Sequence, residues 1–169
     1  MHTSVPLAAS ARGLRVGVAT SRYHETVTNR LQEGALKAFR AAGGSDDDLV
    51  LVDAPGSFEL VAIAHALASR ADIDAVVCIG CVLTGETTHD QYICQACAAG
   101  LAQITAHTGK PVAFGVLTCQ SLEQAHARSG GSAGVPSKGN KGEEAMNAAI
   151  IAAQAVGRVH RLPLGRPAT

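Results

Sequence analysis

Aromatic residues are scarce in this chain of 169 residues: they make up 3% of it, and tryptophan is absent. Neither sign of charge is in excess, since 14 Lys and Arg balance 14 Asp and Glu. A balanced chain has no overall field that attracts nucleic acid or an acidic membrane surface, so neither is expected as a partner. Long hydrophobic runs are missing too, and the apolar stretches fall far short of a membrane span. Hydrophobic residues make up 47% of the chain, and most of them have small side chains, which suits one buried core.

The first 13 residues contain Arg12 as their single Lys or Arg and lack a sustained apolar segment. This composition argues against a secretory signal and predicts a cytoplasmic protein. We expect residues 1–13 to form a flexible extension, residues 14–162 a single domain, and residues 163–169 a loose tail.

Five cysteines raise the question of a metal site, because Cys78-x-x-Cys81 and Cys94-x-x-Cys97 resemble the paired spacing of zinc ligands. Cys78 and Cys81, however, fall in an apolar strand, where residues three apart point to opposite faces. A zinc knuckle needs a tight turn that brings both thiolates to one side. The sequence therefore predicts small buried thiols, with no metal and no disulfides. A zinc protein stays an alternative that metal analysis would test.

Short apolar runs alternate with segments of helical periodicity along the chain. The predicted strands are 14–19, 49–52, 75–79 and 112–117. The predicted helices are 25–42, 60–70, 91–107, one that opens at the capping box of residues 121–124, and 143–161. Strands that alternate with helices indicate a parallel sheet covered on both faces. The predicted fold is a single-domain three-layer αβα sandwich, flavodoxin-like, with a parallel four-stranded sheet.

Residues 80–89 (GCVLTGETTH) carry the strongest functional signal. They follow a predicted strand and precede a predicted helix, and ligands in such folds bind beyond the carboxyl ends of the strands. Free backbone N–H groups in such a turn form anion sites. Gly85, Glu86 and Thr87 supply flexible backbone and a hydroxyl that fit a phosphate, while His89 adds a group suited to acid–base chemistry. The pattern predicts an enzyme that acts on a phosphorylated small molecule.

Three cations near the second half of the chain, Arg128, Lys138 and Lys141, could neutralise that phosphate. The alternative for each is a solvated surface charge. Glu59, at the start of a predicted helix, is either a partner of the helix dipole or an acceptor for the hydroxyls of a polyol.

The few aromatic side chains are also informative by their positions. Tyr23 and Phe58 fall in loops at the binding edge of the predicted sheet, where Tyr23 could stack on a heterocycle. Phe114 lies within the fourth predicted strand, and that position by itself favours core packing.

Four segments in register resemble the 6,7-dimethyl-8-ribityllumazine synthase family: residues 55–60, 80–89, 114–118 and 139–142. The resemblance extends from about residue 16 to 155. It implies a transferase of the penultimate step of riboflavin biosynthesis, which works without metal or organic cofactor. There, 5-amino-6-(D-ribitylamino)uracil condenses with 3,4-dihydroxy-2-butanone 4-phosphate, and phosphate and water are released. The alternative is a non-catalytic protein that binds lumazine or flavin, or forms a shell, on the same fold.

The resemblance also implies roles for individual residues. The pyrimidine and its ribityl chain would contact Tyr23, Ser57, Phe58, Glu59, Cys81, Val82, Leu83 and Phe114. The phosphate of the butanone would be bound by Gly85, Glu86, Thr87, Arg128 and Lys141. His89 would transfer protons, and Phe114 would enter the site of a neighbouring subunit, which replaces the core-packing interpretation. The sequence departs from the usual family pattern at His24, Val61, Thr84 and Asp90.

Family resemblance further implies a homo-oligomer with active sites at subunit interfaces, built from pentamers that in some members close into a shell. The loop before the last helix contains residues 130–137, is longer than a compact version and includes Pro136. Extra residues there would occupy the space where a second pentamer docks, so we expect a free homopentamer. Besides its small-molecule substrates, riboflavin synthase is a candidate protein partner.

Overall fold

A computed structural model describes residues 9–163 of the chain. Four parallel strands form its sheet in the order β2-β1-β3-β4: β1 is Val16–Ser21, β2 is Leu49–Ala54, β3 is Ala75–Leu83 and β4 is Val112–Cys119. The helices are α1 (Glu25–Ala41), α2 (Leu60–Ala68), α3 (His89–Thr108), α4 (Leu122–Arg128) and α5 (Lys141–His160). The predicted α/β fold is confirmed.

Helices cover both faces of the sheet because alternate residues of each strand enter different hydrophobic clusters. On one face, β1 and β3 pack against α1 and α5, with Leu31 and Ile150 fully buried. On the other face, the sheet packs against α2 and α3, with Leu60 and Leu101 in the second cluster. The sheet is therefore the middle layer of the three-layer sandwich.

The two halves of the first cysteine pair lie on opposite sides of the sheet. Cys81 belongs to the cluster under α1 and α5, whereas Cys78 belongs to the cluster under α2 and α3. The period of two along β3 produces this separation, as the sequence predicted. These two thiols cannot bind one metal ion from the same side.

Every strand extends beyond its predicted carboxyl end. Parallel pairing continues from Cys81↔Leu117 to Leu83↔Cys119, so Cys81, Val82 and Leu83 belong to β3 rather than to the following turn. The polar ends of β1 and β2 are likewise paired, with Thr20 opposite Asp53. These longer strands carry the predicted binding residues farther along the same edge of the sheet.

Two helices begin earlier than their sequence pattern suggested. α3 begins at His89 rather than at residue 91, and α5 begins at Lys141 rather than at residue 143. At α5 the cause is the Asn140 side chain, whose Oδ1 accepts hydrogen bonds from the Gly142 and Glu143 N–H groups at 2.9 and 3.2 Å. Gly142 also permits a close crossing of α1, because a Cβ there would collide with the Leu31 carbonyl.

The chain docks on the domain before the predicted boundary at residue 14. Ala11 is fully buried and its N–H donates to the Ala42 carbonyl at 2.9 Å, while Gln154 donates to the Ser10 carbonyl at 2.8 Å. The rest of the predicted extension, residues 1–8, and residues 164–169 of the predicted tail lie outside the described residues. None of the helices between residues 9 and 163 is long and apolar enough to cross a membrane.

Candidate active site

A cavity of about 820 Å³ opens at the carboxyl ends of β1 and β3, between the loops that lead into α1, α2 and α3. This is the edge at which parallel α/β sheets bind ligands. Most of the predicted pyrimidine and phosphate contacts line it: Tyr23, Ser57, Phe58, Glu59, Cys81, Val82, Leu83, Gly85, Thr87 and His89. Residues that are far apart in sequence thus meet at the position that the strand and helix pattern predicted.

Aromatic side chains line the rim of this cavity and are unusually exposed. The exposed fraction is 66% for Tyr23, 57% for Phe58 and 68% for Tyr92. Both tyrosines of the chain are therefore at the cavity, although no sequence pattern predicts this position for Tyr92. Exposed rings at a cavity mouth offer flat apolar faces, which suits an aromatic heterocycle.

The loop between β2 and α2 lines the cavity, and a hydrogen bond from the Cys97 thiol holds its backbone. The buried Cys97 Sγ donates a hydrogen bond to the Ser57 carbonyl at 2.7 Å. The Ser57 hydroxyl is itself buried and has no partner within residues 9–163, so a change of its side-chain rotamer would bring it to a ligand in the cavity. Glu59 follows as an exposed N-cap residue of α2, and its carboxylate offers acceptors for hydroxyl groups.

The turn from β3 into α3 forms the open end of the cavity. The His89 N–H donates to the Thr87 hydroxyl at 3.4 Å, and α3 begins at His89 without a side-chain cap. Uncapped N–H groups at a helix start leave hydrogen-bond donors for an anion. Gly85 and Thr87 line the cavity, whereas Glu86 between them does not. The His89 side chain is exposed and so can reach a bound substrate.

Apart from Glu86, the remaining predicted site residues line a different cavity, of about 410 Å³, between β4, α4 and α5. Phe114, Arg128 and Lys141 all lie there. Phe114 is 44% exposed, so the interpretation of Phe114 as core packing is wrong for the isolated subunit. The Arg128 guanidinium donates to the Gln124 carbonyl at 3.1 Å, and Lys141 pairs with Glu144 at 2.6 Å.

The predicted site is thus divided within one subunit. The first cavity contains the aromatic rings, His89 and Thr87, whereas Arg128 and Lys141 are in the second. The residues predicted to bind the phosphate therefore line two different cavities in a single copy of the chain. Both cavities offer groups that suit the same kinds of ligand, because backbone N–H donors in one and cations in the other attract anions, and each has at least one exposed aromatic ring.

The cysteines near the site are thiols rather than thiolates. Burial raises the pKa of Cys81 to about 12, helped by the nearby Cys119, and burial also raises the pKa of Cys97 to about 11. A protonated thiol is a poor nucleophile, so Cys81 forms part of the wall. Within residues 9–163, no three His, Cys, Asp or Glu side chains group closely enough to hold a metal ion.

Comparison with known proteins decides the family. The sequence pattern that defines 6,7-dimethyl-8-ribityllumazine synthases matches residues 13–156. A 6,7-dimethyl-8-ribityllumazine synthase of Thermus thermophilus is 45% identical over 83% of this chain and 87% of its own length. The protein of that name from Aquifex aeolicus is 42% identical over 83% of this chain and 88% of its own. This chain belongs to the 6,7-dimethyl-8-ribityllumazine synthase family.

Besides Tyr92, three residues at or near the cavities of this lumazine synthase family member had no predicted site role. His24 is a cavity residue in a left-handed backbone conformation, Cys97 supports the Ser57 loop, and Asn140 caps α5 next to Lys141. Asn140 could have been found, since Asn followed three residues later by Glu is a helix-start pattern. No sequence pattern shows the left-handed backbone of His24 or the contact of Cys97 with Ser57, which lies 40 residues earlier in the chain.

Proposed function

We propose that this chain catalyses the condensation of 5-amino-6-(D-ribitylamino)uracil with 3,4-dihydroxy-2-butanone 4-phosphate at a site completed by a neighbouring subunit. As a family member it is a transferase of riboflavin biosynthesis that binds small-molecule substrates and forms a homo-oligomer. The observation that supports the shared site is the division of its residues between two separate cavities.

The larger cavity would hold the pyrimidine. Tyr23 would stack on the ring, while the strand backbone of Cys81, Val82 and Leu83 would hydrogen-bond its polar edge. Ser57 and Glu59 would bind the ribityl hydroxyls, since one offers an unpartnered buried hydroxyl and the other an exposed carboxylate. The exposed ring of Phe58 would cover the apolar side of the ligand.

The butanone phosphate would lie between subunits. Gly85, Glu86 and Thr87 would supply backbone and hydroxyl donors from one copy of the chain. Arg128 and Lys141 of the neighbouring copy would neutralise the phosphate, because an arginine can grip it through two parallel hydrogen bonds. Phe114 would enter with them and close the pyrimidine side, a role that fits its exposure.

His89 would move protons during the reaction. Condensation of an amine with a ketone and elimination of phosphate both require proton transfers. A side chain at the junction of the pyrimidine cavity and the phosphate turn can serve both. Binding the two substrates side by side would supply much of the rate, because it turns an encounter of two molecules into a reaction within one complex.

The oligomer would be a free pentamer. The loop between α4 and α5 contains the exposed residues Gly134 and Pro136, and it is anchored at its base by an antiparallel bridge between Ser129 and Asn140. A protruding loop of this kind would obstruct the docking of a second pentamer. Sedimentation at the mass of five subunits would support this assembly, and hollow particles in electron micrographs would contradict it. A cytoplasmic location and riboflavin synthase as a partner stay predictions from the sequence.

The deciding experiment is incubation of the purified protein with both substrates, following lumazine absorbance and phosphate release together. The proposal expects product and phosphate to appear in equal amounts. If the folded protein binds lumazine without turnover, it is instead a carrier or shell-forming protein on the same fold. A matched sample that lacks the butanone phosphate controls for absorbance changes caused by binding alone.

A further inference from the structure

His24 has an unusual backbone. Its φ is 62° and its ψ is 49°, and it is the one residue other than glycine with positive φ between residues 9 and 163. Residues other than glycine are less stable in this left-handed region, although Asn, Asp and His adopt it more readily than most. Such strain persists where surrounding structure holds it, and it concentrates at functional sites. The imidazole lines the larger cavity, so the strain occurs at the candidate active site.

The His24 side chain does not cap α1, which is the usual role of a polar side chain at the start of a helix. His24 is the N-cap residue of α1, where Ser, Thr, Asp or Asn normally accept a hydrogen bond from the first helical turn. The His24 side chain makes no such bond. The first helical turn is instead bonded to the His24 carbonyl, which accepts hydrogen bonds from the N–H groups of Val27 and Thr28 at 2.9 and 3.1 Å. The imidazole is therefore available for a different contact.

That contact is with the ring of Tyr23. The two ring centroids are 4.7 Å apart, and the ring planes meet at 78°, an edge-to-face arrangement. Tyr23 is two-thirds exposed, so few neighbours restrain its ring, whereas His24 is half-buried and anchored at the start of α1. The left-handed backbone sets the direction in which the imidazole leaves the chain. The half-buried imidazole of His24 thus supports the more exposed ring of Tyr23.

We propose that His24 is a positioning residue, which fixes the plane of the Tyr23 ring against which the pyrimidine stacks. This inference rests on the proposed role of Tyr23 in the pyrimidine site. Preorganisation of Tyr23 reduces the loss of side-chain freedom when the pyrimidine binds. His24 should therefore affect the affinity for one substrate, and it should affect neither the affinity for the butanone phosphate nor the chemical step.

The kinetic test uses His24→Asn and His24→Gly, because both residues tolerate the left-handed backbone and neither has a ring. We expect each to raise KM for the pyrimidine about two- to tenfold, the range that the loss of one aromatic pair implies. The kcat and the KM for the butanone phosphate should stay within about twofold of wild type. His160→Asn, an exposed histidine at the end of α5, is the matched control.

A spectroscopic test needs no substrate. In a Tyr92→Phe background, Tyr23 is the sole tyrosine of a chain without tryptophan, so near-ultraviolet circular dichroism and fluorescence anisotropy report its ring. His24→Asn in that background should weaken the dichroism and lower the anisotropy, because the ring gains freedom. His160→Asn in the same background should change neither signal.

An unchanged pyrimidine KM in both His24→Asn and His24→Gly, or an unchanged Tyr23 signal in His24→Asn, would overturn the proposal. Equal increases of both KM values would overturn it too, since they indicate a general disturbance. Tyr23→Ala separates this proposal from the proposed function. If Tyr23→Ala leaves the pyrimidine KM unchanged, the assignment of the pyrimidine site is wrong, whatever the His24 variants show.

Discussion

Asn140 joins three segments next to Arg128 and Lys141, which line the smaller cavity. Its Nδ2 donates to the carbonyls of Arg30 and Ser129 at 2.9 and 3.2 Å. Its Oδ1 accepts from the N–H groups of Gly142 and Glu143, which begin α5. One side chain therefore ties α1, the end of α4 and the start of α5 together. Asn140→Ala removes all four hydrogen bonds at once.

The cost can be worked out from those bonds. Loss of an N-cap side chain costs about 0.5–2 kcal/mol. Each of the two donated hydrogen bonds contributes about 0.5–1.5 kcal/mol. Because the site is half-buried, water can satisfy part of what is lost, and we expect Asn140→Ala to lower the free energy of unfolding by about 2–4 kcal/mol. Asn140→Asp keeps the capping oxygen but replaces the donor by an acceptor that faces the Arg30 and Ser129 carbonyls, so it should also destabilise the protein although the cap is retained.

The assay is urea unfolding of all variants at one protein concentration, since the stability of an oligomer depends on concentration. Asn147→Ala, elsewhere on α5, serves as the control and should stay within about 0.5 kcal/mol of wild type. Movement of the α5 start should also displace Lys141, so Asn140→Ala should raise KM for the butanone phosphate more than KM for the pyrimidine. An Asn140→Ala stability within about 0.5 kcal/mol of wild type would refute the reasoning.

Further variants test the site, the helix crossing and the thiols. His89→Ala should lower kcat by about 10²–10⁴-fold with a modest change in pyrimidine KM, since general acid–base catalysis contributes that much. Arg128→Ala should mainly raise KM for the butanone phosphate, measured by steady-state kinetics; an effect confined to the pyrimidine would contradict the phosphate assignment. Gly142→Ala should give little folded protein, judged by soluble yield and circular dichroism, because its Cβ would meet the Leu31 carbonyl. Burial raises the pKa of Cys81 from 9.0 to about 12, so the thiol of the unfolded chain loses its proton at lower pH than that of the folded chain. The free energy of unfolding should therefore fall as the pH rises above about 9. Cys81→Ala should flatten this decline, measured by urea titrations at several pH values.

The sequence predicted the fold well because its main signals are local. Apolar runs of strand length, helical periodicity and the Ser121 cap were sufficient to identify all five helices and all four strands between residues 9 and 163. The carboxyl ends of the strands were less predictable. Polar and small residues such as Thr20 and Asp53 weaken the apolar pattern there, although pairing with neighbouring strands continues.

The candidate site was predictable only in part. His89 and Ser57 could be placed at the binding edge, since that edge follows from the order of strands and helices. The separation of Arg128 from the phosphate turn could not, because it depends on how β4, α4 and α5 pack in three dimensions. The left-handed backbone of His24 could not be predicted either, because a positive φ is expected from the sequence mainly at glycine.

We propose that each active site takes His89 from one subunit and Arg128 from the next. Co-expression of His89→Ala and Arg128→Ala chains in equal amounts tests it most directly, because each chain then carries one intact cavity. In a ring with head-to-tail interfaces and random mixing, about a quarter of the sites would combine both intact cavities. When the butanone phosphate concentration is low enough that Arg128→Ala alone is nearly inactive, we expect about a quarter of wild-type activity from the mixed oligomer. Activity no higher than the average of the two separate variants would contradict it.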